Sequence, residues 1–421
     1  MLTWGVLLTV LVLVASGRYR FELVALSGLF FLGIAGITQP GNLFLGMGNP
    51  AIITIGAVFI ISRGITDSGL LSGLGLAIAA RVRTARSQIL SLSLVTSFLS
   101  ALMNNVGAIG LIMPTALRMS SRMGLCKGAF GLPLAYASIL GGTLTLIGSA
   151  PNIIVSTYLF AATGEGYRMF DFAPYGLAML FSGVVLWFIC RACGFTPGAW
   201  KTFEAGESVS MEQEQDQKSE SKVGLLLTSE RRRTLLIVGS AVTILAVGPW
   251  SPAVVFGTAA LLLIILGVLK PENAYDSLDL SILLFLGAML GISSILEETG
   301  GLQMLSSWLF PFVEEMPRFV LLAVLFFISS FLSNIMNNSA AAAVMAPVAL
   351  NLGTPSASEN LPAMMMAVAM GSNLAVILPT HQATLMVLAR APFSISTYIK
   401  SGIVLTIVAG FATVAVINFL L

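Results

Sequence analysis

The sequence predicts an all-α polytopic membrane protein built from two inverted-topology repeats. The prediction rests on the composition, the recurrence of apolar segments and a duplicated polar element. Of the 421 residues, 57% are hydrophobic and only 10% are charged, whereas about a quarter of the residues in soluble domains are charged. The mean hydropathy is +0.94, and apolar runs that could cross a bilayer recur from end to end.

The duplicated element is centred on a pair of asparagines. Residues 97–117 read SFLSALMNNVGAIGLIMPTAL, and residues 330–350 read SFLSNIMNNSAAAAVMAPVAL. The two copies align without a gap, and eleven of the 21 aligned positions are identical. Amide side chains are costly in hydrocarbon unless they line a cavity or find partners. A duplicated polar break in apolar sequence therefore points to a transport site.

Each half of the chain reads as five transmembrane helices and one re-entrant hairpin, followed by a broken helix. The predicted units are a first repeat over 1–200, a charged cytoplasmic linker over 201–233 and a second repeat over 234–421. The hairpins are predicted at about 88–117 and 319–350, and the broken helices at about 129–160 and 364–388. The linker is rich in Glu, Gln, Ser and Lys, a composition that cannot build a packed core.

The distribution of charge supports the inverted arrangement. With hairpins that enter and leave on one face, each half has an odd number of spans, so the second half is inverted. Of the 21 basic residues, all but Arg63, Arg168 and Arg318 then fall on the cytoplasmic side, as the positive-inside rule requires. Both termini are then expected outside, with the first apolar segment a retained helix. The alternative is a set of plain helices with a parallel duplication.

The hairpin centres offer neutral oxygen ligands. The polar residues there are Ser100, Asn104 and Asn105 in the first hairpin and Ser333, Asn337, Asn338 and Ser339 in the second. A break between helices leaves carbonyls that suit a hard cation and N–H groups that suit an anion. We therefore predict that the tips bind Na⁺ and an oxyanion together. The structural alternative is that paired asparagines only join helices by hydrogen bonds.

A second interrupted element follows each hairpin. These elements read GGTLTLIGSAPN at 141–152 and NLAVILPTHQAT at 373–384, and Gly and Pro in apolar runs predict unwound helices that line a cavity. His381 is the only histidine, and we expect it to contact the substrate; proton coupling through it is the alternative. Neither hairpin nor broken element holds an acidic residue, which favours Na⁺ coupling and an anionic substrate.

These motifs resemble the divalent anion:sodium symporter (DASS) family of the wider ion transporter superfamily. The resemblance rests on MNNVGAIGLIMP, GGTLTLIGSAPN, YRMFDFAPYGL, SNIMNNSAAAAVMAP and LPTHQATLMV, in that order through both halves. It implies sodium-coupled symport of a small divalent anion, of the sulfate or C4-dicarboxylate type, by an elevator-like mechanism. It also implies a homodimer, which we expect in a bacterial inner membrane, with Na⁺ as the coupling ion and no cofactor.

The resemblance also implies ligands. One Na⁺ is expected near Ser100, Asn104, Asn105 and Gly148, and a second near Ser333, the carbonyl of Met336, Asn338 and Thr380. The substrate contacts are expected from Asn104, Asn105, Ser149, Asn337, Asn338, Ser339 and His381. Val106, Ala150 and Thr384 depart from the residues usual in the family, which leaves the identity of the anion open.

Two other functions compete with symport. One is an arsenite, metalloid or other anion exporter of the same superfamily. The remote one is an intramembrane hydrolase that uses Ser372 or Ser149 with His381, for which the sequence offers no acidic orienting residue. We expect a transporter and not an enzyme. The expected partners are the anion, Na⁺, the lipid bilayer and a second copy of the chain; a net charge of +2 does not suggest nucleic acid.

Overall fold

The computed structural model describes residues 2–15, 18–68, 84–103, 105–123, 125, 128–192, 229–248, 250–300, 316–352 and 360–421. Over these residues the chain forms seventeen α-helices and one short 3-10 helix, and no strand. The all-α class predicted from the sequence is confirmed.

The helices of the first half are α1 (Leu2–Ala15), α2 (Phe21–Ile34), α3 (Pro50–Asp67), α4 (Ala85–Leu102), α5 (Asn105–Arg122), α6 (Gly128–Gly141), α7 (Ala150–Thr163) and α8 (Ala173–Ala192). The 3-10 helix, Asn42–Phe44, precedes α3. The helices of the second half are α9 (Ser229–Val247), α10 (Pro252–Ile265), α11 (Pro271–Asp276), α12 (Leu280–Glu298), α13 (Arg318–Ile335), α14 (Asn338–Leu352), α15 (Leu361–Asn373), α16 (Gln382–Arg390) and α17 (Ile395–Leu420).

The duplicated sequence forms the same pair of helices twice. The first pair is α4 and α5, and the helices of the second pair, α13 and α14, begin at the equivalent positions of the alignment. In each pair the first helix ends at a methionine in extended conformation, Met103 with φ −149° and Met336 with φ −115°. An asparagine then opens the next helix, and Asn337 Oδ1 accepts a hydrogen bond from Ser339 N at 2.9 Å, which is the N-cap interaction that asparagine favours.

The helices begin and end a few residues outside the predicted boundaries. The elements predicted at 88–117, 129–160, 319–350 and 364–388 occupy 85–122, 128–163, 318–352 and 361–390. Helix α4 starts early because Thr84 Oγ1 accepts a hydrogen bond from Ser87 N and caps a polar first turn. Residues 229–233 of the predicted linker lie in α9, where Glu230 in the first turn complements the helix dipole.

The helices pack as two bodies, and each body contains elements of both halves. The scaffold body consists of α1–α3 and α9–α12, in which α3 packs on α10 and α2 packs on α12. The hairpin body consists of α4–α7 and α13–α16, in which α14 packs on α7 and α16 packs on α5 and α6. Helices α8 and α17 pack on each other and on the hairpin body. Contacts of α12 with α14, and of α3 with α5 and α7, join the two bodies.

The last helix of each half crosses an unwound segment at a glycine. A Cβ atom on Gly176 of α8 would lie 2.8 Å from the carbonyl oxygen of Thr143, and a Cβ atom on Gly402 of α17 would lie 2.0 Å from that of Val376. Thr143 and Val376 occupy equivalent positions when the alignment of the duplicated element is extended along both halves. Only glycine lets these two backbones approach so closely.

Apolar side chains cover much of the outer surface. Phe181, Ile265 and Phe331 are 69%, 73% and 62% exposed. By length and composition, two helices of the described residues could cross a bilayer, Arg318–Ile335 and Ile395–Leu420. Seven shorter apolar helices of 10–17 residues accompany them.

Candidate substrate and cation site

One cavity of about 810 Å³ brings together both helix breaks of the duplicated element and both unwound segments. The predicted site residues that line it are Asn105, Gly148, Ser149, Met336, Asn337, Asn338, Ser339, Thr380 and His381. Ser100 and Ser333 are buried directly behind the lining, in hydrogen-bond contact with Asn105 and Asn338. Asn104, predicted as a ligand of both the cation and the substrate, lies outside the described residues.

Four helices begin at the wall of this cavity. The first residues of α5, α7, α14 and α16 are Asn105, Ala150, Asn338 and Gln382, and all four line it. A helix N-terminus carries a partial positive charge and unpaired N–H groups, so it favours an anion. Among the described residues of the lining, none is Lys or Arg. Among the described residues, the groups of this wall that would attract an anion are therefore backbone N–H groups at helix starts.

An oxygen-rich cluster lies behind the first break. Ser100 Oγ lies 2.6 Å from Asn105 Oδ1 and 2.7 Å from the carbonyl oxygen of Ser138. A serine hydroxyl has one proton to donate, so these two acceptor oxygens share a single hydrogen. Acceptors exceed donors in this cluster, and a bound cation would offset that excess.

The backbone around Gly148 adds carbonyl oxygens to the same cluster. A Cβ atom on Gly148 would lie 2.6 Å from the oxygen of Gly142, 3.1 Å from that of Ser100 and 3.2 Å from that of Ala101. Any side chain at Gly148 would push these carbonyls apart. Hard cations take oxygen ligands of this kind, so the residues present fit the predicted first Na⁺ site.

The second break repeats the serine–asparagine arrangement. Ser333 Oγ lies 2.9 Å from Asn338 Oδ1 and donates to the carbonyl oxygen of Ser372. Thr380 Oγ1 donates to the carbonyl oxygen of Asn334 at 3.2 Å, and both Met336 and Thr380 line the cavity. The structure thus brings the predicted ligands of the second Na⁺ to one wall, with Ser333 and Asn338 in direct contact.

His381 caps the N-terminus of α16. Its Nδ1 accepts a hydrogen bond from Ala383 N at 3.1 Å. A nitrogen that accepts is unprotonated, so the proton of the neutral ring is on Nε2. His381 lines the cavity, and its Nε2 carries the N–H of the neutral ring while Nδ1 holds the helix start.

Asn334 is a buried residue that the sequence analysis did not single out. Its Oδ1 accepts from the N–H groups of Ile377 and Leu378 at 2.9 and 3.0 Å, and its Nδ2 donates to Ser330 O at 2.8 Å. This one amide fixes the unwound segment before His381 to α13. The sequence did carry a signal for Asn334: it is polar, whereas the aligned residue of the first copy, Ala101, is apolar.

A hydrogen bond between two buried asparagines joins the two halves of the chain. Asn373 Nδ2 donates to Asn152 Oδ1 at 2.6 Å, and Asn152 Nδ2 donates to the carbonyl oxygens of Thr145 and Gly142 at 2.8 and 3.3 Å. Both amides are buried. Each belongs to a predicted interrupted element, but no sequence signal indicated that the two elements meet.

The opposite wall of the cavity comes from the scaffold body. It includes Tyr19 and Phe21 before and within α2, and Asp276 and Asp279 beside α11 and α12. Asp279 Oδ1 accepts from Ile282 N at 3.2 Å and caps α12. The two carboxylates were not predicted as lining residues. The hairpins and broken helices themselves contain no acidic residue, as the sequence showed.

The helical fold and its polar cavity, with paired breaks from both halves, define an integral membrane transporter. The chain belongs to the citrate transporter family CitMHS, whose family model matches residues 11–371. Members of this family are transporters and not enzymes, so the prediction of a transporter and the resemblance to the ion transporter superfamily are confirmed, and the hydrolase is not supported.

Curated relatives agree with this class. The chain is 28% identical over 188 residues to the uncharacterized transporter YfbS of Escherichia coli, an alignment that covers 44% of this chain and 31% of that protein. It is 29% identical over 157 residues to sodium/sulfate cotransporter 1 of Chlamydomonas reinhardtii, which covers 36% of this chain and 18% of that protein. The matched region is less than a third of the length of either relative.

A solved structure is also similar to the chain. The crystal structure of the YdaH transporter of Alcanivorax borkumensis, described as having an unusual topology, matches with a TM-score of 0.46 and 14% sequence identity. The match covers 93% of this chain and 88% of that chain.

Proposed function

We propose that the protein is a secondary active transporter that couples Na⁺ to the movement of a small multivalent oxyanion. One observation carries the proposal: four helix N-termini begin at a cavity that has two serine–asparagine oxygen clusters in or behind its wall. The first feature suits an anion and the second suits Na⁺. The sodium/sulfate cotransporters among the relatives agree with this pairing.

In the proposed site the anion lies between the two helix breaks. The N–H groups at the starts of α5 and α14 face it from either side, and His381 Nε2 donates to it from the start of α16. One Na⁺ binds at Ser100, Asn105 and Gly148, and a second at Ser333, Asn338, Met336 and Thr380. Each Na⁺ lowers the electrostatic cost of bringing the anion into a region of low dielectric constant.

The proposed movement is elevator-like. All the proposed ligands lie on the hairpin body, whereas the scaffold body supplies only the opposite wall with Tyr19, Phe21, Asp276 and Asp279. Displacement of one body against the other would carry the complete site without dismantling it. The predicted inner membrane, external termini and homodimer remain predictions.

Uptake into proteoliposomes tests the proposal. Radiolabelled sulfate, succinate and citrate should each be offered with an inward Na⁺ gradient and, as the control, with choline in place of Na⁺. Citrate belongs in the panel because the family is described as one of citrate transporters. We expect saturable uptake of at least one anion with Na⁺ only. Equal uptake in choline would contradict Na⁺ coupling, and Na⁺-independent efflux would favour the exporter.

A further inference from the structure

The first two helices leave a groove between them on the surface of the scaffold body. Its volume is about 750 Å³. The described lining residues recur every three or four positions along α1, from Leu2 to Leu13, and along α2, from Leu23 to Phe31. This is the spacing of one helix face, so one face of each helix forms each wall. Leu2, Leu23 and Phe31 are more than half exposed, so the groove opens to the outside of the molecule.

The groove is about as long as one leaflet of a bilayer is thick. Five residues connect α1 to α2, and the two helices pack on each other, so they run in opposite directions. Arg20 and Leu13 therefore lie towards one end of the groove, and Leu2 and Phe31 towards the other. From Leu2 to Leu13, α1 rises about 16 Å. This is close to half of the hydrocarbon core of a bilayer, which is about 30 Å thick.

One end of the groove is polar and positively charged. Tyr19 and Arg20 line this end; Tyr19 is 60% exposed, and the side chain of Arg20 is 72% exposed. Among the described residues of the lining, Arg20 alone has a charged side chain. Tyrosine is enriched at the level of lipid headgroups, and a guanidinium matches the geometry of a phosphate. An apolar groove with this end fits a ligand that has an acyl chain and an anionic head.

A buried carboxylate holds Arg20 in place without using all its donors. Arg20 Nε donates to Glu22 Oε1 at 2.6 Å, and Nη2 donates to Ser281 Oγ at 3.3 Å. The side chain of Glu22 is only 4% exposed, and its Oε1 also accepts from Ser281 Oγ at 3.2 Å. A guanidinium has five N–H donors, and Nη1 has no partner among the described residues. The exposed guanidinium therefore keeps donors for an external anion.

We propose that this groove binds one anionic phospholipid, with an acyl chain between α1 and α2 and the phosphate at Arg20. The positive charge at the groove end favours a headgroup with net negative charge over a zwitterionic one. The lipid would lie against the scaffold wall of the transport cavity, because Tyr19 lines both the groove and that cavity, and Ser281 lines the cavity. The lipid site does not depend on the proposed transport function.

Native mass spectrometry of the purified full-length protein tests the site. Phosphatidylglycerol and phosphatidylcholine with the same acyl chains are titrated separately, and the Kd of each is measured. Arg20→Gln removes the charge. Gly5→Phe fills the groove and leaves the Arg20–Glu22 pair intact, because a Cβ atom at Gly5 would meet no atom within 4 Å. The matched controls on α9 are Arg232→Gln and Gly239→Phe, at exposed positions outside the groove; Gly239 has the same open space.

We expect the unmodified protein to bind phosphatidylglycerol at least fivefold more tightly than phosphatidylcholine. Arg20→Gln should raise the Kd of phosphatidylglycerol about fivefold and leave that of phosphatidylcholine unchanged. Gly5→Phe should raise both by at least fivefold, and the α9 controls should change neither. Equal affinity of the unmodified protein for the two lipids would overturn the proposal. Unaltered binding in Gly5→Phe, or an equal effect of Arg20→Gln and Arg232→Gln, would do the same.

A second copy of the chain is the competing occupant of the groove. Ser27 is exposed and lines it, so Ser27→Cys places a thiol inside. The variant is oxidised in membranes, in a background with Cys126, Cys190 and Cys193 replaced by serine. We expect the chain to stay free of a disulfide between copies. A disulfide-linked dimer would assign the groove to a second copy and refute the lipid site.

Discussion

Buried amides make most of the side-chain hydrogen bonds that shape the candidate site. Asn105, Asn152, Asn334, Asn338 and Asn373 are all less than a tenth exposed. Inside a bilayer no water replaces a lost partner, so removal of one amide leaves its neighbours unpaired. Single amides are therefore expected to matter more here than isolated surface polar groups do.

Asn334 gives a prediction about stability. Asn334→Ala leaves the N–H groups of Ile377 and Leu378 without their acceptor, which should destabilise the folded protein by about 2–4 kcal/mol. Ser329→Ala is the matched control on the same helix, because Ser329 Oγ is buried and has no hydrogen-bond partner among the described residues. Thermal unfolding of the purified variants measures both; an equal effect of the two changes would contradict the role of Asn334.

His381 gives a prediction about affinity. Asparagine is a favoured N-cap, so His381→Asn should preserve the start of α16 while it removes the Nε2–H donor. A hydrogen bond to a charged group is worth about 1.5–3 kcal/mol, so the Kd for the transported anion should rise at least about tenfold. Calorimetric titration measures the Kd, and unchanged thermal unfolding shows that the variant is folded. An unaltered Kd would remove His381 from the site.

At the scale of elements, the duplication predicted the helix pairs and their breaks. The Met-Asn-Asn sequence and the Gly- and Pro-containing runs indicated where helices stop, and the structure has helix ends there. Exact boundaries were not predictable from apolar runs, because polar first turns extend helices beyond these runs: Thr84 caps that of α4, and Glu230 lies in that of α9.

The sequence did not predict which elements of the two halves contact each other. The Asn152–Asn373 contact joins residues 221 positions apart, and Asp276 and Asp279 reach the cavity from the scaffold body. Both depend on how helices of the two halves pack, which no local pattern encodes.

The close crossing of α17 over the second unwound segment gives a prediction at this scale. Gly402→Ala would place a Cβ atom 2.0 Å from the carbonyl oxygen of Val376. Either α17 or the unwound segment that contains Val376 must then move. We expect a lower unfolding temperature and reduced uptake. Gly239→Ala is the control, since no atom lies within 4 Å of its Cβ position and alanine favours a helix by about 1 kcal/mol. Normal stability and uptake in Gly402→Ala would show that the crossing tolerates a side chain.

At the scale of the whole molecule, each half of the chain contributes helices to both bodies. The scaffold body and the hairpin body each combine helices from both halves, and the cavity lies between the bodies. In the proposed mechanism, a site held entirely by one body moves as a unit. The proposal then requires that Na⁺ and the anion stabilise the same loaded site.

Calorimetric titration of the anion that supports uptake, into purified protein in Na⁺ and in choline, tests this central claim most directly. The coupling free energy between two bound ligands is reciprocal. If Na⁺ and the anion stabilise the same loaded site, Na⁺ should therefore lower the Kd of the anion by about tenfold or more. An anion Kd that is the same in both salts would contradict a site that holds cation and anion together.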